Sequence, residues 1–97
     1  GGEMITKPFT FEGNHLVINF STSAAGSMKV EIQDARGKPI PGFALDDCVE
    51  FWGDKIDRIV AWKGGYDVSK LAGEPIRLRF VMHDADLYSF RFEPGEK

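Results

Sequence analysis

"PIRLRFVMHDADLYSFRF", residues 75–92, alternates apolar and polar side chains on either side of a short polar tetrapeptide. Successive side chains of a strand point to opposite faces, so Ile76, Leu78, Phe80 and Met82 share one face. Arg77, Arg79, Val81 and His83 share the other. The run that follows sets Tyr88, Phe90 and Phe92 against Leu87, Ser89, Arg91 and Glu93. A two-residue turn at Asp84-Ala85 would place aromatic rings opposite arginines. A three-residue loop, Asp84 to Asp86, instead pairs Met82 with Tyr88, Phe80 with Phe90 and Leu78 with Phe92. That loop needs one residue near the left-handed region, which aspartate tolerates better than most. The stretch therefore predicts a β-hairpin with its turn at "HDAD".

The same tetrapeptide is the only cluster of histidine and carboxylates that looks catalytic. A glycosidase pair needs its carboxyls roughly 5–10 Å apart across a sugar-sized cleft. One of the two must also be kept protonated by an apolar pocket. Two aspartates on a tight exposed loop have no such pocket, so His83, Asp84 and Asp86 read as turn residues. No nucleophile elbow, phosphate-cradling glycine loop or zinc-binding spacing is present. The chain by itself is expected not to be an enzyme.

Working outward, alternation recurs at Phe9 and Phe11, at Leu16, Ile18 and Phe20, and at Met28, Val30 and Ile32. Gly13-Asn14 suits a primed two-residue turn that would face Phe11 with Leu16 and Phe9 with Ile18. "STSAAGS", residues 21–27, reads either as a crossing to a second sheet or as a wide hairpin matching Phe20 with Met28. Residues 34–57 are irregular, because Gly37, Pro39, Pro41 and Gly42 forbid a central strand. "RIVAW", residues 58–62, reads as a buried strand ended by "KGG". "DVSKLAG", residues 67–73, offers one helical turn with Asp67 as cap and Gly73 as stop. The whole predicts an all-β fold of roughly six to eight short strands, closed as a two-sheet antiparallel β-sandwich.

Composition narrows the function. A chain of 97 residues is one small domain, 1–97, with apolar content of 42% and room for a single core. A net charge of −3 argues against nucleic acid or an anionic membrane as partner. No apolar run approaches a membrane span, and any export signal is absent or belongs to a longer parent. The single cysteine, Cys48, excludes an internal disulfide and reads as a half-buried small hydrophobe.

Two stretches, "GSMKVEIQDARGKPIPGF" and "RIVAWKGGYDVSKLAGEPIRLRFVMHDADLYSFRF", resemble the C-terminal end of large bacterial glycoside hydrolases of the family 32 type, whose catalytic unit is a β-propeller. The similarity covers most of residues 3–93. The resemblance implies a jelly-roll-like accessory module, the C-terminal fragment of a larger, secreted or periplasmic protein. It further implies that the propeller of the same polypeptide is its partner. The family's catalytic carboxylates belong to the propeller, and no stretch of this sequence matches their motifs.

Three aromatic side chains stand outside the alternating core pattern. Trp52 lies in a polar loop, Tyr66 follows two glycines, and Trp62 ends a strand and suits the core better. They are the candidates for stacking on a sugar ring. Arg77, Arg79 and Arg91, with Glu93 opposite Arg77, form the candidate face for docking on a catalytic domain, since the guanidinium fork pairs with carboxylates and carbonyls. Asp46, Asp47, Glu50, Asp54 and Asp57 supply the oxygens a structural Ca²⁺ would want. They lack EF-hand spacing and read first as a solvated acidic loop, so no cofactor is expected. The leading expectation is an accessory domain that packs on its catalytic partner; the alternative is direct glycan recognition.

Overall fold

The computed structural model describes residues 2–95 and is all-β. Its strands form one antiparallel sheet in the order β1-β4-β2-β3. These are β1 (Gly2–Ile5), β2 (His15–Asp34), β3 (Asp54–Ile59) and β4 (Ile76–Glu93). Two single-turn 3-10 helices, Leu45–Asp47 and Ser69–Leu71, interrupt the connections. Four strands thus replace the six to eight short ones expected, because two pairs of predicted strands each run on as one.

β2 has 20 residues, about 66 Å if straight, yet the molecule's longest extent is 36 Å. The ribbon that β2 makes with β4 must therefore bend. The rings of Phe80 and Phe90 measure the bend, lying 5.6 Å apart although an extended strand would separate them by about 33 Å. Residues 15–22 of β2 pair with 85–93 of β4, and residues 27–34 pair with 76–83. Between them β2 carries four unpaired residues, Ser23 to Gly26, against one on β4, Asp84. Unequal lengths on the two strands force the kink. A side chain on Gly26 would place its Cβ 2.5 Å from the carbonyl oxygen of Asp84, so only glycine lets the strands close here.

The bend overturns the hairpin expected at residues 84–86. Asp84 does take the left-handed conformation, with φ 46°. The chain nevertheless continues in the same strand rather than reversing, and Met82 pairs with Met28 and Gly2 instead of Tyr88. A second irregularity pairs Asn19 with Ser89 and Phe20 with Leu87, skipping Tyr88. That extra residue switches the parity of the strand, so Leu87 packs on the core and Tyr88 is exposed. The Gly13-Asn14 hairpin is also absent. Leu16 and Ile18 pair with Phe92 and Phe90, while Phe9 bridges Ile76. Gly13 instead passes close to β4, where a Cβ would meet the Glu93 carbonyl oxygen at 3.0 Å. The wide hairpin about "STSAAGS" is likewise not formed.

The inward residues of both halves meet in one core, including Leu16, Ile18, Phe20, Met28, Val30, Ile32, Ile76, Leu78 and Phe80. Each was placed inward by period two. The long connection from β2 to β3 closes the core with Phe43, Cys48 and Phe51. Val30 shows how this layer is tied down: its N–H donates to Cys48 Sγ at 3.3 Å, and Trp62 Nε1 donates to its carbonyl at 3.0 Å. Burial pushes the Cys48 thiol pKa up, consistent with a packing role. "RIVAW" contributes the buried Val60 and Trp62, but the strand itself ends at Ile59.

Candidate functional site

Trp52 is held outward by its two neighbours. Phe51 is 1% exposed, packs edge-to-face on Phe20 at 5.0 Å, and exchanges backbone hydrogen bonds with Met28. Gly53 accepts from the Thr22 N–H and donates to Thr22 Oγ1 at 3.2 Å. With the backbone pinned on both sides and Phe51 turned in, Trp52 must turn out, and it is 62% exposed. An indole this exposed adds little to the core.

The indole stands beside a concavity of about 410 Å³ that it lines with Thr22, Ser23, Ala24, Gly53 and Asp54. Across the β2 bulge, Thr22 and Ser23 also line an open hollow of about 700 Å³ with Gly2, Ser21, Met82, Asp84, Ala85 and Asp86. The two concavities therefore meet at the bend. Together they set one exposed ring beside three hydroxyls and three carboxylates. Some of these groups are already oriented: Ser21 Oγ donates to Asp54 Oδ1 at 2.9 Å, and Thr22 Oγ1 to the Gly53 carbonyl. Asp84 and Asp86 are both exposed, as is His83.

The other aromatic candidates lie elsewhere. Trp62 is 2% exposed and belongs to the core. Tyr66 is 50% exposed and meets the His15 ring edge-on at 5.9 Å. It lines a separate hollow of about 370 Å³ with Asn14, Gly64, Gly65, Asp67 and Gly95. Among the described residues the buried His15 has no hydrogen-bond partner for Nδ1, and its Nε2 stands 3.7 Å from Glu93. The three rings do not converge on one surface.

The arginines have already found partners. Arg77 donates to the carbonyls of Ala35 and Thr6. Arg79 bridges Glu3 at 2.6 Å and the buried Glu31 at 3.4 Å. Arg91 bonds Glu93 and, at 3.2 Å, Asp57. The expected arrangement of Glu93 opposite Arg77 is not formed, because the chain does not reverse at residue 84. Arg77 pairs with Gln33, Arg79 with Glu31, and Arg91 with Val17.

The acidic segment is similarly engaged. Asp47 Oδ2 accepts the Ala44 N–H, Asp54 the Ser21 hydroxyl, and Asp57 the Asn19 amide at 2.7 Å. The Asn19 bond, helped by Arg91, holds the Asp57 carboxyl below its ordinary range. Among the described residues, no group of three or more His, Cys, Asp or Glu is gathered as a metal ion would need.

The sequence singled out Trp52 as a ring outside the core, which its exposure bears out, but not the residues around it. The hydroxyl run Ser21-Thr22-Ser23 was the available signal, and it read as a link rather than as the edge of a surface. Comparison with protein-family models, curated proteins and solved structures finds no match to this chain. The resemblance to family 32 thus rests on the quoted stretches alone.

Proposed function

We propose that the chain is a non-catalytic carbohydrate-binding module in which a glycan stacks on Trp52 and reaches across the bend. The observation that carries this reading is the outward indole, backed on both sides by fixed backbone and bordered by Thr22, Ser23 and Asp54. A pyranose offers an apolar face and a rim of hydroxyls, which match a free ring beside hydroxyls and carboxylates. The openness of the bend favours binding over hydrolysis, since a general acid needs an enclosing apolar wall. The test is affinity electrophoresis of the chain through gels containing inulin, galactan or xylan. Retardation in one of them, abolished by Trp52→Ala with an unchanged melting temperature, supports the reading; retardation unaffected by Trp52→Ala, or none in any gel, refutes it.

We further propose a two-layer fold. The halves of the ribbon, one flanked by β1 and the other by β3, act as two layers of a jelly-roll-like sandwich.

A second reading, an accessory domain packing on a catalytic β-propeller of the same polypeptide, draws on a different surface. Met4 and Ile5 of the edge strand β1 are 39% and 48% exposed, beside the Glu3–Arg79 pair. An exposed apolar edge strand invites a covering partner. The arginine forks favour this reading less than the sequence implied, because internal carbonyls and carboxylates already occupy them.

A further inference from the structure

The turn Trp62–Gly65 borders two hollows, and the one on the Phe43 side is unrelated to the Trp52 surface. It holds about 320 Å³, at the small end for ligand pockets. Its floor is Phe43 against Trp62, edge-to-face at 5.3 Å. Four charged side chains line it: Asp47, Lys63, Asp67 and Lys70.

The two kinds of charge are held differently. Asp47 Oδ2 accepts the Ala44 N–H at 3.2 Å, and Asp67 Oδ1 accepts the Ser69 N–H at 2.9 Å. Each carboxylate is thereby oriented by a backbone N–H, and the Ser69 side chain helps to hold Asp67. Lys63 and Lys70 form no ion pair within 4.0 Å among the described residues, and Lys70 Nζ lies 5.5 Å over the Phe43 ring. The walls are tied together, since the Lys63 N–H donates to the Asp47 carbonyl at 2.8 Å. Gly65 needs its glycine, with φ 115°. Gly64 does not: its φ is ordinary, and a Cβ there meets nothing within 4 Å among the described residues. The bare backbone at Gly64 keeps the hollow's border low without any demand from packing.

We infer that this hollow is a second binding site, taking a single neutral sugar ring. Oriented carboxylate acceptors together with ammonium donors suit vicinal hydroxyls, each of which both donates and accepts. Phe43 and Trp62 lie beneath the hollow as core residues, so the sugar is held through its hydroxyls rather than by stacking. The site does not depend on Trp52, so the two assignments can fail separately.

The experiment is a ¹⁵N–¹H NMR titration of the full chain with methyl glucopyranoside and methyl galactopyranoside, using sodium acetate and sodium glucuronate as anion controls. The expected result is saturable shifts with a neutral glycoside at Phe43, Lys63 to Asp67 and Lys70. These shifts persist in Trp52→Ala and weaken at least tenfold in Lys63→Ala with Lys70→Ala, whose fold is verified by the unchanged remainder of the spectrum. The inference is overturned by no saturable shift with either glycoside, by shifts that survive the double lysine variant, or by shifts that vanish in Trp52→Ala. A response to acetate and glucuronate alone overturns it too, by revealing a simple anion site.

Discussion

The β2–β4 ribbon and the segments that join its ends place their aromatic residues by different rules, and Tyr88, skipped by the ladder, is the ribbon's exposed ring. Along the ribbon Phe20 and Phe80 are fully buried, and Phe90 and Phe92 pack against the same core. In the connections from 35 to 53 and from 60 to 75, Phe43, Phe51 and Trp62 are buried while Trp52 and Tyr66 are left at the surface. Regular alternation leaves little freedom: a residue on the inner face has to be apolar and has to pack. The connections are tied by scattered backbone bonds rather than by a regular ladder, so neighbouring residues can point in or out independently of period two. The ribbon therefore carries stability, and its bend and connections carry surface chemistry.

The comparison breaks first if ribbon residues prove dispensable. Phe80→Ala should cost about 3–5 kcal/mol, as for other buried rings, because Phe80 is wholly buried and joins the two halves through Phe90. Urea denaturation of the variant measures it, and a loss below about 1 kcal/mol would mean that the halves do not share a core.

Next in size is the bend. Gly26→Ala should cost about 1–3 kcal/mol, the scale of an overpacked site, since its Cβ would sit 2.5 Å from one carbonyl oxygen and 2.6 Å from another. Both oxygens belong to backbone, of Asp84 and His83, and neither moves without the strand. A variant as stable as the parent would place the bend elsewhere.

A smaller effect separates a kink from a turn. Asp84 holds φ at 46°, where a β-branched residue costs about 1–2 kcal/mol and glycine costs little. Asp84→Val should destabilise by that amount, and Asp84→Gly should be neutral or slightly stabilising in the same urea experiment. Equal effects of the two would remove the left-handed conformation from the account.

These predictions also mark where the sequence stopped being legible. Faces could be read wherever apolar residues alternated, as at Leu16, Ile18 and Phe20 or Ile76, Leu78 and Phe80. Partners could not. Pairing Phe9 and Phe11 with Ile18 and Leu16 satisfies the same parity as the pairing with Phe90 and Phe92 that forms. Parity limits the register within a chosen pair and says nothing of which strands meet. Residues 21–27 read as a link because Ser, Ala and Gly have weak strand preference, yet there the chain stays extended and only bends. Tyr88 was placed inward by the same alternation, and one skipped residue reversed it. The exposure of Trp52 was legible from its polar neighbours, whereas its setting depends on Thr22, thirty residues away in sequence.

Acid should have the smallest effect. The Asp34 carboxyl lies below its usual 3.8, chiefly through the Lys38 N–H. Asp57 is lowered by Asn19 and Arg91, and Asp67 by Ser69. A lowered carboxylate pKa adds stability that is complete above the unfolded value and lost as pH falls through the folded one. Melting temperature should therefore hold steady between pH 7 and 5 with respect to these groups, then fall below about pH 4. All three are solvent-facing, so Asp57→Asn should reduce the slope only slightly. A variant that instead melted far lower at pH 7 would show that β3 depends on that one carboxylate.

The most direct test of the central assignment uses the contrast between the two tryptophans, one exposed and one buried. Acrylamide quenching of fluorescence should resolve an accessible fraction, lost in Trp52→Phe, and a protected fraction from Trp62. Addition of the polysaccharide that retards the chain in a gel should shield the accessible fraction and leave the protected one unchanged. Retardation by a polysaccharide that leaves Trp52 as open to acrylamide as before would contradict the account.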